Sequence, residues 1–129
     1  MRPDDMNDTS SKSREYETDI PERIISYCDK INADIDFFGN DRETFMEDDR
    51  YQRAVAFCLF QIGEDVKKLR RSFPEIYDTS YWKQIAGARD IIGHGYDGYD
   101  IGLMWDSLES DISELKAKCI SRIGTTGSD

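Results

Sequence analysis

The stretch RAVAFCLFQIGEDVKKLRRSFP, residues 53–74, decides the fold. Its apolar residues Val55, Leu59, Ile62, Val66, Leu69 and Phe73 alternate steps of four and three. Side chains at that spacing stack along one side of an α-helix, so the segment predicts a helix with one buried face. Pro74 closes it, and the acidic run Glu47-Asp48-Asp49 suits its positive N-terminal end.

The same period recurs on both sides. Upstream, a helix opens near Pro21 and carries Ile24, Cys28, Ile31, Ile35 and Phe38, until Gly39-Asn40 stops it. Downstream, Ser80 is placed to cap a third helix whose inward face is Tyr81, Ile85, Ala88 and Ile92, with Gly93 and Gly95 breaking the pattern. A fourth carries Met104, Leu108, Ile112, Leu115, Cys119 and Ile123. Four amphipathic helices with short connections predict an all-α, up-and-down bundle over residues 20–123. Residues 1–19 are polar and almost without large aliphatics, which predicts a disordered arm. Residues 124–129, GTTGSD, predict a flexible tail.

At 129 residues the chain suits one domain. No window has the roughly 18 apolar residues of a membrane span, and the first residues lack the apolar stretch of a secretory signal. A cytoplasmic protein is the expectation. Cys28, Cys58 and Cys119 are far apart in sequence, and a single histidine cannot complete a zinc site with them. They read as buried, reduced thiols, and neither metal nor cofactor is expected. The net charge of -10 opposes general attraction to nucleic acid, but it is unevenly spread. Between Arg50 and Arg89, eight Lys or Arg face four acids, which gives +4 there and -14 elsewhere. That permits a basic groove; an ordinary solvated helix face is the alternative.

One constellation carries chemistry. His94, the only histidine, sits between Gly93 and Gly95, with Arg89 five residues before it and Tyr96 two after. The trio offers a proton-transfer group, a fixed cation and a phenol. On a continuous helix, positions 89 and 94 lie roughly 140° apart around the axis. They converge only if the helix ends near Gly93 and the chain turns, or if they act on one substrate from different chains. Read alone, Tyr96 packs against a turn. Arg53 and Glu64 read as a surface pair or as support for the site, and Trp82 and Trp105 as core or dimer contacts.

Ala88-Arg89-Asp90-Ile91-Ile92-Gly93-His94-Gly95-Tyr96 resembles the Arg-x4-His-x-Tyr signature of HepT-like toxins of the HEPN superfamily. Ile62-Gly63-Glu64, Trp82-Lys83-Gln84-Ile85 and Trp105 add to the likeness, which covers roughly residues 20–123. Asp90 departs from it, since Asn is commoner there. The resemblance implies metal-independent RNA cleavage by Arg89 and His94 in a cleft between two protomers. It further implies a nucleotidyltransferase antitoxin that adenylylates Tyr96, in a hetero-oligomer with the homodimer. Asp90, Gly93, Gly95, Arg53 and Glu64 are candidate supporting residues. The alternative is a non-catalytic HEPN module that binds a nucleotide or a partner protein.

Overall fold

A computed structural model of the chain describes residues 19–94 and 101–127, with backbone alone for 88–94 and 125–127. Its helices are α1 (Ile20–Phe38), α2 (Arg42–Glu47), α3 (Asp49–Ser72), α4 (Pro74–Tyr77), α5 (Ser80–His94), α6 (Ile101–Ser110) and α7 (Ile112–Gly127). No strand occurs among the described residues, so the architecture is all-α as expected. The arm expected over residues 1–19 lies, but for Asp19, outside the described residues.

The helix read from residues 53–74 is the axis of the molecule. α1 and α5 both pack along α3, α7 packs on α1, and α6 reaches both α7 and α2. Val55, Leu59, Ile62, Val66 and Leu69 are buried, while Phe73 is half-buried at the C-terminal end of α3. Ile24, Cys28 and Ile31 meet them from α1, and Leu108, Ile112, Leu115 and Cys119 complete the core. No helix among the described residues is long and apolar enough to cross a membrane.

Local chemistry sets the helix ends. The Asp48 carboxylate accepts the Arg50 and Tyr51 N–H groups (2.9 and 3.2 Å), which caps α3 where the acidic run predicts its start. Gly39 ends α1 at φ 123°, a conformation in which a Cβ is strained. Two short helices have no counterpart in the sequence reading. Asp41 caps α2 by accepting the Thr44 N–H and hydroxyl, and these bonds hold its carboxyl below the usual carboxylate range. α4 is the single turn opened by Pro74.

Three further expectations are corrected. The fourth helix is two, because the chain departs from helical geometry at Asp111. The Asp111 N–H still reaches the Ser107 carbonyl (2.8 Å), and its own carbonyl accepts the Leu115 N–H (2.9 Å). Register therefore survives, and one stripe runs across both pieces. α7 continues to Gly127, so the segment read as a tail from residue 124 begins as helix. Among the described side chains of α5 the buried residues are Trp82 and Ala86, with Tyr81 and Ile85 partly buried against the core, while the expected Ala88 and Ile92 lie outside the described side chains. The inward face of this part of the helix therefore takes in both neighbouring stripes, with Trp82 and Ala86 the deeper. The indole accounts for it, as the largest apolar surface on this turn. It packs edge-on against Tyr77 and Tyr81, each at 5.1 Å between ring centroids.

At one end of the core, Tyr51 stacks on Phe38 (4.7 Å) and meets Phe45 edge-on (4.9 Å), while Phe45 approaches Trp105 (5.4 Å). Both polar tips are satisfied. The Tyr51 hydroxyl donates to the Gly39 carbonyl (3.0 Å), and the Trp105 indole N–H donates to Glu109 (3.0 Å). Trp105 is thus a core residue, as is Trp82. Burial pushes the Cys28 and Cys119 thiols up to about 12 and Cys58 up to about 11, which keeps all three protonated and inert.

One ion pair ties α1 to α3. Arg23 Nη2 lies 2.8 Å from Asp65 Oδ1, with the carboxylate side chain 6% exposed and the guanidinium 43%. The asymmetry sets the cost of breaking the pair. Losing Arg23 strands a desolvated carboxylate, whereas losing Asp65 leaves a cation that reaches water. Arg23→Ala is expected to cost about 3 kcal/mol. Asp65→Asn, which keeps a hydrogen-bond acceptor, is expected to cost about 1 kcal/mol. Urea unfolding of the two variants checks the order; equal losses would show that the carboxylate is not the group being protected.

Candidate active site

α5 carries most of the motif, and its start is firmly held. The Thr79 carbonyl accepts the Lys83 N–H (2.9 Å), and its hydroxyl accepts the Trp82 N–H (3.4 Å). Thr79, not Ser80, is therefore the cap, and Ser80 is the first helical residue. Asp78 adds a clamp: its Oδ1 lies 2.9 Å from Arg70 Nη2 of α3 and 3.7 Å from Lys83 Nζ of α5. The Arg70 hydrogen bond and the Lys83 charge hold the Asp78 carboxyl below the usual carboxylate range. From α7, Lys118 sits over the Tyr81 ring at 4.7 Å. Burial, followed by the Glu114 carboxylate, pushes the Tyr81 phenol up.

From this anchored end α5 runs without interruption to His94. Arg89, Asp90, Gly93 and His94 all belong to it. The backbone is helical through Gly93 to His94, so no turn separates Arg89 from His94. Their backbone positions fall about 140° apart around the axis. Of the two routes to convergence that the spacing leaves, a turn inside the motif is not taken. Gly95 and Tyr96 lie outside the described residues.

Of the candidate supporting residues, Arg53 pairs with Asp49 at 3.0 Å, one turn away on α3, and both are well exposed. It does not pair with Glu64, which stands eleven residues on, about 16 Å along the axis. Glu64 is half-buried on the same helix. The basic stretch is partly neutralised, since Arg53, Arg70 and Lys83 all have carboxylate partners. Arg50, Lys68 and Arg71 have no ion-pair partner among the described residues. Sequence reasoning noted these cations but had no means of separating paired from unpaired ones.

An open cavity of about 380 Å³ lies between α1 and α6, lined by Asn32, Asp36, Asn40, Trp105 and Glu109 among others. Its two carboxylates repel phosphate, and none of its lining residues is on α5. No group of three or more metal-ligating side chains assembles among the described residues.

The profile of the family described as ribonuclease HepT-like matches residues 20–121. A provisionally named RNase of Methanocaldococcus jannaschii is 37% identical over 94 residues, covering 72% of this chain and 78% of that protein. A protein provisionally named ribonuclease HepT, from Thermococcus cleftensis, is 31% identical over 105 residues, covering 81% and 90%. A provisionally named RNase of Caldanaerobacter subterraneus subsp. tengcongensis is 34% identical over 95 residues, covering 74% and 83%. No solved structure matches the chain at comparable significance.

The Asp78 clamp has a pH signature. A carboxyl whose folded-state pKa is depressed contributes stability that is present above its unfolded value, about 4, and is lost as pH falls through the folded one. Asp78→Asn is expected to lower the melting temperature slightly at neutral pH. It should also make the acid-side fall in melting temperature shallower, by an amount that shrinks in high salt because the group is exposed. Thermal melts of both proteins across the acid range check this. Parallel curves would mean that the clamp adds nothing to the anchoring of α5.

Proposed function

The chain belongs to the ribonuclease HepT-like family, and from that membership we propose that it is the endoribonuclease toxin of a toxin–antitoxin pair, cutting RNA without a metal at a site shared by two protomers. The observation that supports the shared site is the continuity of α5. With Arg89 and His94 on one unbroken helix about 140° apart, a second copy of the chain is the simpler source of a converging partner.

RNA brings its own nucleophile, so the enzyme has only to move protons and stabilise charge. One His94 accepts the proton of the 2′-hydroxyl as its oxygen attacks phosphorus. Arg89, permanently cationic and forked, takes up the charge gathering on the phosphoryl oxygens. The P–O bond to the 5′ oxygen breaks, and the second His94 protonates the departing alkoxide. The products are a 2′,3′-cyclic phosphate and a free 5′-hydroxyl. Two proton transfers and one histidine per chain call for a homodimer.

Folded His94→Ala is expected to cut no RNA, and Arg89→Ala to lose about 10²-fold or more in rate, the usual loss of one strong transition-state donor. EDTA should change neither the rate nor the products. Mixing His94→Ala chains with wild-type chains should lower the activity more steeply than dilution alone, since each mixed dimer holds only one of the two histidines. Wild-type rates in His94→Ala, or activity that EDTA removes and a divalent ion restores, would overturn the scheme. RNA left uncut by the wild-type dimer would favour a binding module instead.

Regulation follows from the phenol beside the histidine. In this reading a partner nucleotidyltransferase directs the Tyr96 oxygen onto the α-phosphorus of ATP. The partner's base takes the phenolic proton, pyrophosphate leaves, and an adenylate remains. Its bulk and negative charge then compete with the RNA backbone for Arg89. Tyr96→Phe is expected to cleave RNA yet resist silencing by the co-expressed partner. Peptide mapping that finds the adenylate on Tyr99 or Tyr81 alone would refute the assignment.

A further inference from the structure

α3 has two sides of opposite character. Its core side is the apolar stripe already described. Its outward side carries Arg50, Arg53, Phe57, Lys68 and Arg71. Arg50 and Lys68 are eighteen residues apart, five full turns, and so share one direction from the axis. Arg53 and Arg71 repeat that separation about 60° away, and Phe57 falls between the two rows. The four cations span about 32 Å of helix, with Glu64 as the one acid in the same sector.

The cations of this face are largely unanswered by acids. Acids outnumber bases 27 to 17 in the chain, so a surface cation has many partners to choose from. Arg23, Arg42, Arg70, Lys83, Lys116 and Lys118 all have carboxylate partners. Arg50, Lys68 and Arg71 have none among the described residues, and neither do Lys30 and Arg122, but it is the first three that share one 60° sector of one helix. The exposed Arg53–Asp49 pair is worth little and exchanges readily for another anion. Among these cations stands a large exposed aromatic. Phe57 is 57% accessible, held edge-on by Tyr27 of α1 at 6.3 Å, and Lys30 lies 5.2 Å from the centre of the Tyr27 ring.

Cations interleaved with an exposed ring match a single nucleic-acid strand, whose phosphates take the charges and whose unstacked bases take the π-face. An acidic protein would satisfy the cations but leave the ring without a counterpart. α3 packs directly along α5, so the face belongs to the helix that neighbours the motif helix. We infer that the outward face of α3 made by Arg50, Arg53, Phe57, Lys68 and Arg71 is the track that holds single-stranded RNA beside the motif helix. The inference rests on the proposed ribonuclease reading and extends it to the form of the substrate.

The test uses full-length His94→Ala protein, which keeps its substrate intact, and fluorescence anisotropy with a short unstructured oligoribonucleotide over a range of salt. For a single strand, each phosphate contact contributes about 0.7 to the slope of log affinity against log salt. R50Q/K68Q/R71Q, which retains most of each side-chain stem, should therefore flatten the slope by about 2 units and weaken low-salt binding at least about tenfold. Phe57→Ala should weaken binding about fivefold or more with the slope unchanged, because a stacking contact releases no counterions. R42Q/R122Q, which removes two cations elsewhere, should leave both quantities near the parent values. Circular dichroism confirms that the variants are folded, and the single Gln variants, each expected to change the slope by about 0.7, replace any triple that is not. If wild type cuts RNA while the triple variant binds with the parent's slope, the track is wrong and the enzyme reading stands. If the triple variant binds RNA normally but no longer captures a nucleotidyltransferase partner, the face is a protein-docking surface and the inference fails. If wild type neither cuts nor binds RNA, both fall together.

Discussion

α3 must serve two neighbours at once, and the way it divides its circumference governs the rest of the molecule. α1 and α5 both pack along it. Its buried residues, from Asp65 through Ile62 and Val66 to Ala56, occupy about half the turn at 100° per residue. A strip that broad exceeds a coiled-coil seam and allows contact on two flanks. The one charge in it, Asp65, is desolvated and depends on Arg23, so α1 is fixed against α3 by geometry as well as by apolar area. With α1 and α5 placed, α7 has a site on α1, and α6 is drawn towards the aromatic group of Phe45, Tyr51 and Trp105.

This division explains which parts of the fold the sequence displays. Steps of three and four persist wherever one helix face is buried over several turns, as in α1, α3 and the joined stripe of α6 and α7. α2 and α4 are too short to show a period, and their signals are local: Asp41 as a cap and Pro74 as a first-turn residue. The break at Asp111 is invisible because backbone bonds on both sides keep the stripe in register. The greater depth of Trp82 and Ala86 on α5 has a different origin. Tyr81 with Ile85 and Trp82 with Ala86 are two stripes of equal period, and only three-dimensional packing gives the larger ring precedence.

The candidate site is legible to a different depth. Arg89, His94 and Tyr96 are conspicuous because they crowd around two glycines, and the family membership covers that segment. How Arg89 and His94 would meet in the proposed dimer is not contained in the spacing. Five residues on a continuous helix separate rather than join, and a site assembled from two copies leaves no mark in the distance between residues of one. The anchoring of α5 by Thr79, Asp78 and Arg70 lies at the opposite end of that helix from His94, where no candidate catalytic residue directs attention.

A net charge of -10 and a polyanionic substrate are compatible once distance is considered. At physiological ionic strength, exposed charges beyond about 8 Å are largely screened, so a phosphate responds to its immediate neighbours rather than to the total. What matters is which cations are free of local partners. An ion pair presents a dipole to solvent, whereas an unpaired arginine presents its full charge. Asp29, Asp49, Asp65, Asp78, Asp106 and Glu114 each hold a lysine or arginine, so six acids are spent within the protein surface itself. Acidity elsewhere then has a directional consequence. The cavity of Asp36 and Glu109 between α1 and α6 disfavours a bound phosphate, while the unpaired cations of α3 favour one. In the proposed reading, an acidic protein of this kind selects where RNA rests by the placement of its unpaired cations, at the expense of general affinity.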